Sequence, residues 1–218
     1  MDIENLVDKY KQDIIKSTQE VIRIKSVEEE AKGDKPFGEG PFRALEYVLN
    51  LADKMGFETK NLDNYVGYAE FGQGNETVGI LAHLDVVPEG DGWLYPPYKG
   101  EIHDGKLYGR GTADDKGPAM AALWAMKIIK DLKLPLNKKV RIIFGTNEET
   151  GWGCMKHYFA NEKAPDMAFT PDANFPVIHA EMGILVFELT KDVNNKCTGD
   201  ILIKDINGGT AVNMVPDK

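Results

Sequence analysis

His83 and Asp85 close the run Val78-Gly79-Ile80-Leu81-Ala82-His83-Leu84-Asp85, so an apolar stretch ends by presenting an imidazole and a carboxylate two residues apart. Such a pair suits a metal ligand and its orienting group, because a metal-bound histidine usually donates its second ring N–H to a carboxylate or carbonyl. Further acidic groups follow. Gly109-Arg110-Gly111-Thr112-Ala113-Asp114-Asp115-Lys116-Gly117 sets two carboxylates between glycines and an Ala/Met-rich segment. Val140 to Phe144 is an apolar run that leads into Gly145-Thr146-Asn147-Glu148-Glu149, and Phe169-Thr170-Pro171 ends in Asp172. Each has an ordinary reading by itself: a helix cap for the Asp pair, a solvated acidic turn for the glutamates, a turn former for Asp172. The glycine-rich turn does not fit the phosphate-binding pattern GxxxxGK[ST], and its carboxylates would repel phosphate.

Taken together the acidic groups point to a cation. If the strands share one sheet, His83, Asp85, Asp114, Asp115, Glu148, Glu149 and Asp172 converge at its end. Two like charges about 4 Å apart cost roughly 1 kcal/mol in water and about 4 kcal/mol at the effective dielectric of a protein surface. Lys116 alone does not offset that crowding. Carboxylate oxygens mixed with imidazole suit zinc, and also manganese or cobalt, better than copper or an iron–sulfur centre.

The other histidines read more plainly. His103 stands beside the Asp104-Gly105 turn and is expected to be exposed. Cys154 and His157 share a helix at i, i+3, half of a metal site with no second Cys/His pair to complete it. His179 reads as structural, with contact to a substrate as the alternative.

The elements that position these groups alternate. Leu6, Val7, Tyr10, Ile14 and Ile15 recur at helical spacing, and Val21, Ile22 and Ile24 prolong a long amphipathic first helix. Pro41 to Met55 reads as a second helix stopped by Gly56, and further helices are expected at Lys116 to Leu132 and Gly153 to Asn161. Strands are expected at Glu58–Leu62, Val66–Phe71, Thr77–Ala82, Gly100–His103 paired with Lys106–Gly109, and Val140–Thr146. This order predicts an α/β protein, an α/β/α sandwich with a mixed sheet whose active groups gather at strand C-termini. Beyond Met182, strands over Ile184–Thr190 and Asp200–Ile206 suggest the start of a second domain, giving an expected division into 1–182 and 183–218.

Composition narrows the partners. The 218 residues carry a formal net charge of −9 and a pI near 5.0, a balance that disfavours nucleic acid and anionic membrane as partners. The longest apolar run, Ala119 to Met126, is too short to span a bilayer. Two cysteines and an N-terminus without a secretory core predict a cytoplasmic protein.

The motifs His83-Leu84-Asp85-Val86-Val87-Pro88, Gly92-Trp93, Tyr108-Gly109-Arg110-Gly111, Asp114-Asp115-Lys116-Gly117-Pro118, Gly145-Thr146-Asn147-Glu148-Glu149-Thr150 and Pro171-Asp172-Ala173 occur in that order. In this the sequence resembles the co-catalytic zinc metallopeptidases that include aminoacylase, acetylornithine deacetylase, succinyl-diaminopimelate desuccinylase and carboxypeptidase G, with the strongest likeness to the PepV-type dipeptidases. The resemblance implies hydrolysis of amide bonds in small peptides by a zinc-activated water. It makes His83 and Asp172 ligands of one zinc, Glu149 a ligand of a second, and Asp114 the bridge. Asp85 would orient His83, Asp115 would support the site from behind a cis peptide to Asp114, and Glu148 would be the general base.

One departure stands out. In that family a histidine far along the chain completes the second zinc, and an inserted α+β lid domain clamps the substrate; nothing after Asp172 matches either. The sequence therefore reads as the N-terminal part of an enzyme about twice as long, slight in activity or inactive by itself. A deacylase or desuccinylase acting on N-acyl amino acids is the alternative activity, and a non-catalytic module the alternative class.

Overall fold

The computed structural model describes residues 3–174, 176–180, 182, 183, 185–190 and 208. Its elements are α1 (Ile3–Ile22), α2 (Glu39–Lys54), β1 (Glu58–Leu62), β2 (Val66–Gly72), β3 (Thr77–His83), β4 (Glu101–His103), β5 (Lys106–Tyr108), α3 (Lys116–Asp131), β6 (Lys139–Gly145), α4 (Gly153–Asn161) and β7 (Met167–Phe169). Five strands form a mixed sheet in the order β1-β2-β6-β3-β7, and β4 with β5 forms a separate hairpin. The hairpin turns at Asp104 and Gly105, both at positive φ (49° and 74°), as a two-residue turn between twisted strands requires.

Side chains of a strand alternate between its two faces, and the core divides accordingly. Ala69, Ile80, Ala82, Ile142 and Phe144 join α1, α2 and α3 in one buried cluster. Val66, Tyr68 and Ile143 join Cys154, Met155 and Tyr158 of α4 in another. The sheet is thus an α/β/α sandwich, three helices on one face and one on the other. The stripe of α1 enters the first cluster through Val21, Tyr10 and Ile14, and Trp124 of α3 meets it by donating its indole N–H to Ser17 Oγ at 2.9 Å.

On the opposite face Arg141 fixes α4 to the sheet. Its guanidinium lies 2.7 and 2.8 Å from Glu70 Oε2, donates to the Tyr158 hydroxyl at 2.9 Å, and stacks over Tyr68 at 3.8 Å.

Two strands differ from expectation. β7 has three residues, all exposed, so hydrophobic periodicity carries no sign of it. It forms because β3 offers a parallel edge, pairing Val78, Gly79 and Ile80 with Met167, Ala168 and Phe169. Residues 185–190 form no strand; Leu185, Val186, Phe187 and Leu189 are exposed, and a strand needs a neighbour for its backbone bonds. The expected strand at 200–206 lies outside the described residues.

Candidate metal centre

Register brings the site together. β3 runs parallel to β6 with His83 opposite Gly145, so Glu148 and Glu149 emerge in the loop just past His83. On its other side Ile80 pairs with Phe169, which sets Asp172, three residues on, at the level of His83, itself three residues past Ile80. Asp114 and Asp115 reach the same end from the turn before α3. That turn is tight: a Cβ on Gly117 would stand 2.0 Å from the Thr112 carbonyl oxygen, so only glycine fits there.

His83 Nε2 lies 3.0 Å from Asp114 Oδ1, 3.4 Å from Asp172 Oδ2 and 3.9 Å from Glu148 Oε2. Two sets of potential ligand atoms, each within 4.8 Å of one another, share this histidine: His83 with Asp114 and Glu149, and His83 with Glu148 and Asp172. Ligands held about 2.0–2.2 Å from one tetrahedral ion stand roughly 3.5 Å apart, so the donor set suits a divalent metal. The cis peptide bond expected between Asp114 and Asp115 is present.

Asp85 faces His83 and also holds the neighbouring loop. The other ring nitrogen, Nδ1, is 3.0 Å from the Asp85 carbonyl oxygen and 3.5 Å from its carboxylate, so the backbone is the nearer partner. The Asp85 carboxylate also accepts the Glu149 backbone N–H at 3.0 Å through its other oxygen, Oδ2, tying the β3 and β6 loops together. Asp115 accepts the His83 backbone N–H at 3.1 Å. One oxygen of each of these two buried carboxylates, Oδ1 in both, has no hydrogen-bond partner.

Electrostatics reflects the crowding. Burial pushes Asp115 and Glu149 up to about 7, with the neighbouring aspartates adding to the rise, and burial also raises Glu148. The hydrogen bond with His83 holds Asp114 below the usual carboxylate range. Burial acts to lower His83, but its bonds with Asp114, Asp172 and Asp85 raise it well above the ordinary imidazole value. Several carboxylates crowded around one histidine make a pocket suited to a cation.

Supporting residues escape a reading for periodicity. Asn147 is buried; its Nδ2 donates to Thr150 Oγ at 2.7 Å and its Oδ1 accepts the Gly153 N–H at 2.9 Å, shaping the loop that carries Glu148 and Glu149. An Asn six residues before a helix start is the trace it leaves in the sequence. Ser26 Oγ donates to the Leu84 carbonyl at 2.6 Å and the Val86 N–H donates to the Ser26 carbonyl at 3.1 Å, which clamps the segment holding Asp85. A cleft of about 190 Å³ beside the carboxylates is lined by His83, Glu148, Asp172, Trp152, Met155 and Thr170.

The remaining histidines lie elsewhere. His103 is half-buried rather than exposed, stacked on Tyr95 at 3.7 Å and bonded to Glu101 at 2.9 Å. His157 faces Asp63 at 2.9 Å and stacks on Tyr65, while Cys154 is buried against the sheet, so the two share no site. His179 is exposed. No described helix is long and apolar enough to cross a membrane.

Known proteins resemble this chain over much or all of its length. Residues 79–194, more than half of the chain, match the model of Peptidase family M20/M25/M40. The putative dipeptidase YtjP of Bacillus subtilis (strain 168) is 48% identical over 220 residues, covering 100% of this chain and 48% of that protein. The putative dipeptidase SAUSA300_1697 of Staphylococcus aureus (strain USA300) is 42% identical over 218 residues, covering 97% and 46%. The crystal structure of human carnosine dipeptidase 1 superposes with a TM-score of 0.61 at 27% identity, covering 70% of this chain and 36% of that one. The chain spans about half the length of the curated relatives it matches.

Proposed function

The chain belongs to peptidase family M20/M25/M40, and from that premise we propose that it takes part in metal-dependent hydrolysis of the peptide bond of small unblocked peptides, as a dipeptidase. The observation that carries the reading is His83 with carboxylates grouped on it from the turn before α3, the loop after β6 and the segment after β7. The names of the two bacterial relatives support a dipeptide as the substrate.

In this reading His83 and Asp172 would hold one metal and Glu149 a second, with Asp114 as a ligand that both could share. The 3.0 and 3.4 Å separations from His83 Nε2 support the first set, and the grouping of Glu149 with Asp114 supports the second. Zinc is the proposed ion, since imidazole with carboxylate oxygens is a common zinc donor set; manganese and cobalt accept the same donors. When bound, such an ion polarises the peptide carbonyl and acidifies water.

The protein's own groups do the rest. Asp85 and Asp115 hold the Glu149 and His83 backbones, so ligands from three loops keep one geometry. Glu148 is the proposed general base: it takes a proton from the attacking water and returns it to the leaving amine. A half-buried carboxylate beside the ligand set, 3.9 Å from His83 Nε2, suits a group that must both accept and release a proton. The test is hydrolysis by the intact polypeptide of unblocked dipeptides beside N-acetyl and N-succinyl amino acids, with and without a chelator. Chelator-sensitive cleavage of the dipeptides is expected; cleavage confined to the N-acyl compounds would move the assignment to a deacylase.

A further inference from the structure

One aromatic residue beside the metal centre sits where the backbone disfavours it. Trp152, the residue before α4, has φ 58° and ψ 23°, in the left-handed region. Gly, Asn and Asp enter that region readily, whereas a bulky side chain there is an outlier that its surroundings must hold, and such residues cluster at functional sites. Of the other described non-glycine residues at positive φ, Asp63, Asn64 and Asp104 are polar turn residues and Lys133 lies just past α3, so Trp152 is the one aromatic among them. Its backbone is firmly tied: the N–H donates to the Asn147 carbonyl at 2.7 Å, and the carbonyl accepts the N–H groups of Met155 and Lys156, both at 3.1 Å. The fold asks for this conformation, which glycine adopts without strain, but it does not ask for an indole. Trp152 is 44% exposed and stands outside both buried clusters.

Trp152 lines the cleft of about 190 Å³ beside the carboxylates. The chemistry of that cleft is divided: His83, Glu148 and Asp172 border it at the metal centre, and Leu81, Met155 and Trp152 border it with apolar surface. Leu81 and Met155 pack into the core between the sheet and α4, so their wall is fixed, and Trp152, one turn before Met155, is its half-exposed lip. Whole small molecules occupy pockets of about 300–1,000 Å³; the smaller volume here fits a single side chain. Glu148 and Asp172 repel an acidic one, and the apolar wall gains from a hydrocarbon one. Bonding says which side chain this is. A metal held by His83 and Asp172 polarises the scissile carbonyl, and the side chain of the residue that carries this carbonyl is one bond nearer to it than the side chain of the residue that follows. A cleft bordered by those two ligands suits the nearer one, on the N-terminal residue.

We propose that Trp152 is a specificity-determining residue: with Leu81 and Met155 it walls a subsite that takes an apolar side chain on the N-terminal residue of the dipeptide. The inference rests on the dipeptidase reading given above and adds which dipeptides that activity prefers. A larger apolar N-terminal residue buries more hydrocarbon against the wall and is cut more efficiently. A small one leaves the cleft to water, and an acidic one is turned away by Glu148 and Asp172.

The test is kcat/KM of the intact polypeptide with zinc for leucylglycine and alanylglycine, beside glycylleucine and glycylalanine, with thermal unfolding and zinc affinity by chelator competition recorded for each variant. Leucylglycine is expected to exceed alanylglycine by at least roughly tenfold, the lower end of what one methylene is worth in an apolar pocket. Trp152→Ala is expected to bring that ratio down toward one with zinc affinity within a few-fold, and Trp152→Phe to keep most of it. A merely structural Trp152 would lower both substrates alike and leave the ratio standing, which would overturn the proposal. A ratio near one in the unsubstituted protein would overturn it as well, as would discrimination confined to glycylleucine against glycylalanine. If Trp152→Ala does not fold, Trp152→Gly decides, since this backbone admits glycine most easily: a lost ratio in a stable protein supports the subsite and a retained one overturns it. An unsubstituted protein that cuts no dipeptide overturns the dipeptidase reading and this inference together; failure of the subsite alone is told apart because dipeptide hydrolysis then persists without the preference.

Discussion

Replacing each of the adjacent glutamates by glutamine separates proton transfer from metal binding. Glu148 Oε2 is 3.9 Å from His83 Nε2, farther than Asp114 at 3.0 Å and Asp172 at 3.4 Å, which leaves it the most loosely associated of the three. Glu149, by contrast, has its backbone N–H fixed by Asp85 and groups with His83 and Asp114. A positioned general base contributes about 10²–10⁴-fold in rate, which is roughly 2.7–5.4 kcal/mol of barrier at 1.36 kcal/mol per decade. Glu148→Gln should therefore lower kcat for dipeptide hydrolysis by two to four decades, on the order of the general-base contribution, while zinc affinity stays within a few-fold. Glu149→Gln should weaken metal binding first, and added zinc should restore part of the lost rate. Steady-state kinetics of the intact polypeptide across a zinc series measures both. The reasoning is refuted if Glu148→Gln loses metal as readily as Glu149→Gln, or if its kcat survives at saturating zinc.

Two further substitutions probe the scaffold. Arg141→Met strips Glu70, 6% exposed, of the guanidinium that forks onto it, and breaking a buried pair from one side costs about 3–5 kcal/mol; urea unfolding showing a loss below about 1 kcal/mol would contradict the buried pairing. Ser26→Ala leaves the Leu84 carbonyl without its 2.6 Å donor inside the fold, an expected loss of about 1–3 kcal/mol by the same assay. Because Ser26 clamps the segment that holds Asp85, zinc affinity should fall with it, and a stability loss with metal binding untouched would argue that the clamp does not reach the site.

Much of this arrangement is legible in the sequence, for physical reasons that differ by element. β3 and β6 announce themselves because both faces are buried, so they read as short apolar runs, and each leads directly into the residues with chemistry. The hairpin of β4 and β5 follows from Asp104-Gly105, a turn with a known backbone demand. β7 leaves no trace, since Met167, Ala168 and Phe169 are exposed and their pairing comes from the edge of β3. Asp172 is therefore recognisable by its motif but not by the element before it. The charges behind the site are the least legible. A lysine next to two aspartates gives no sign of burial in the sequence, whereas Lys116 is fully enclosed with its Nζ on the Ile24 carbonyl. Asp85 stands out in the sequence beside His83, yet its carboxylate bonds to the Glu149 backbone, a contact between residues 64 apart that no spacing encodes.

The central claim is that His83 and the carboxylates around it form a metal centre. Adding zinc to metal-free polypeptide and following its unfolding free energy tests that claim most directly. At a free zinc concentration of 100 Kd the native state should gain about 2.7 kcal/mol, and His83→Ala, which removes the residue common to both ligand sets, should abolish the gain. A zinc-independent stability, or an equal gain in His83→Ala, would contradict the account.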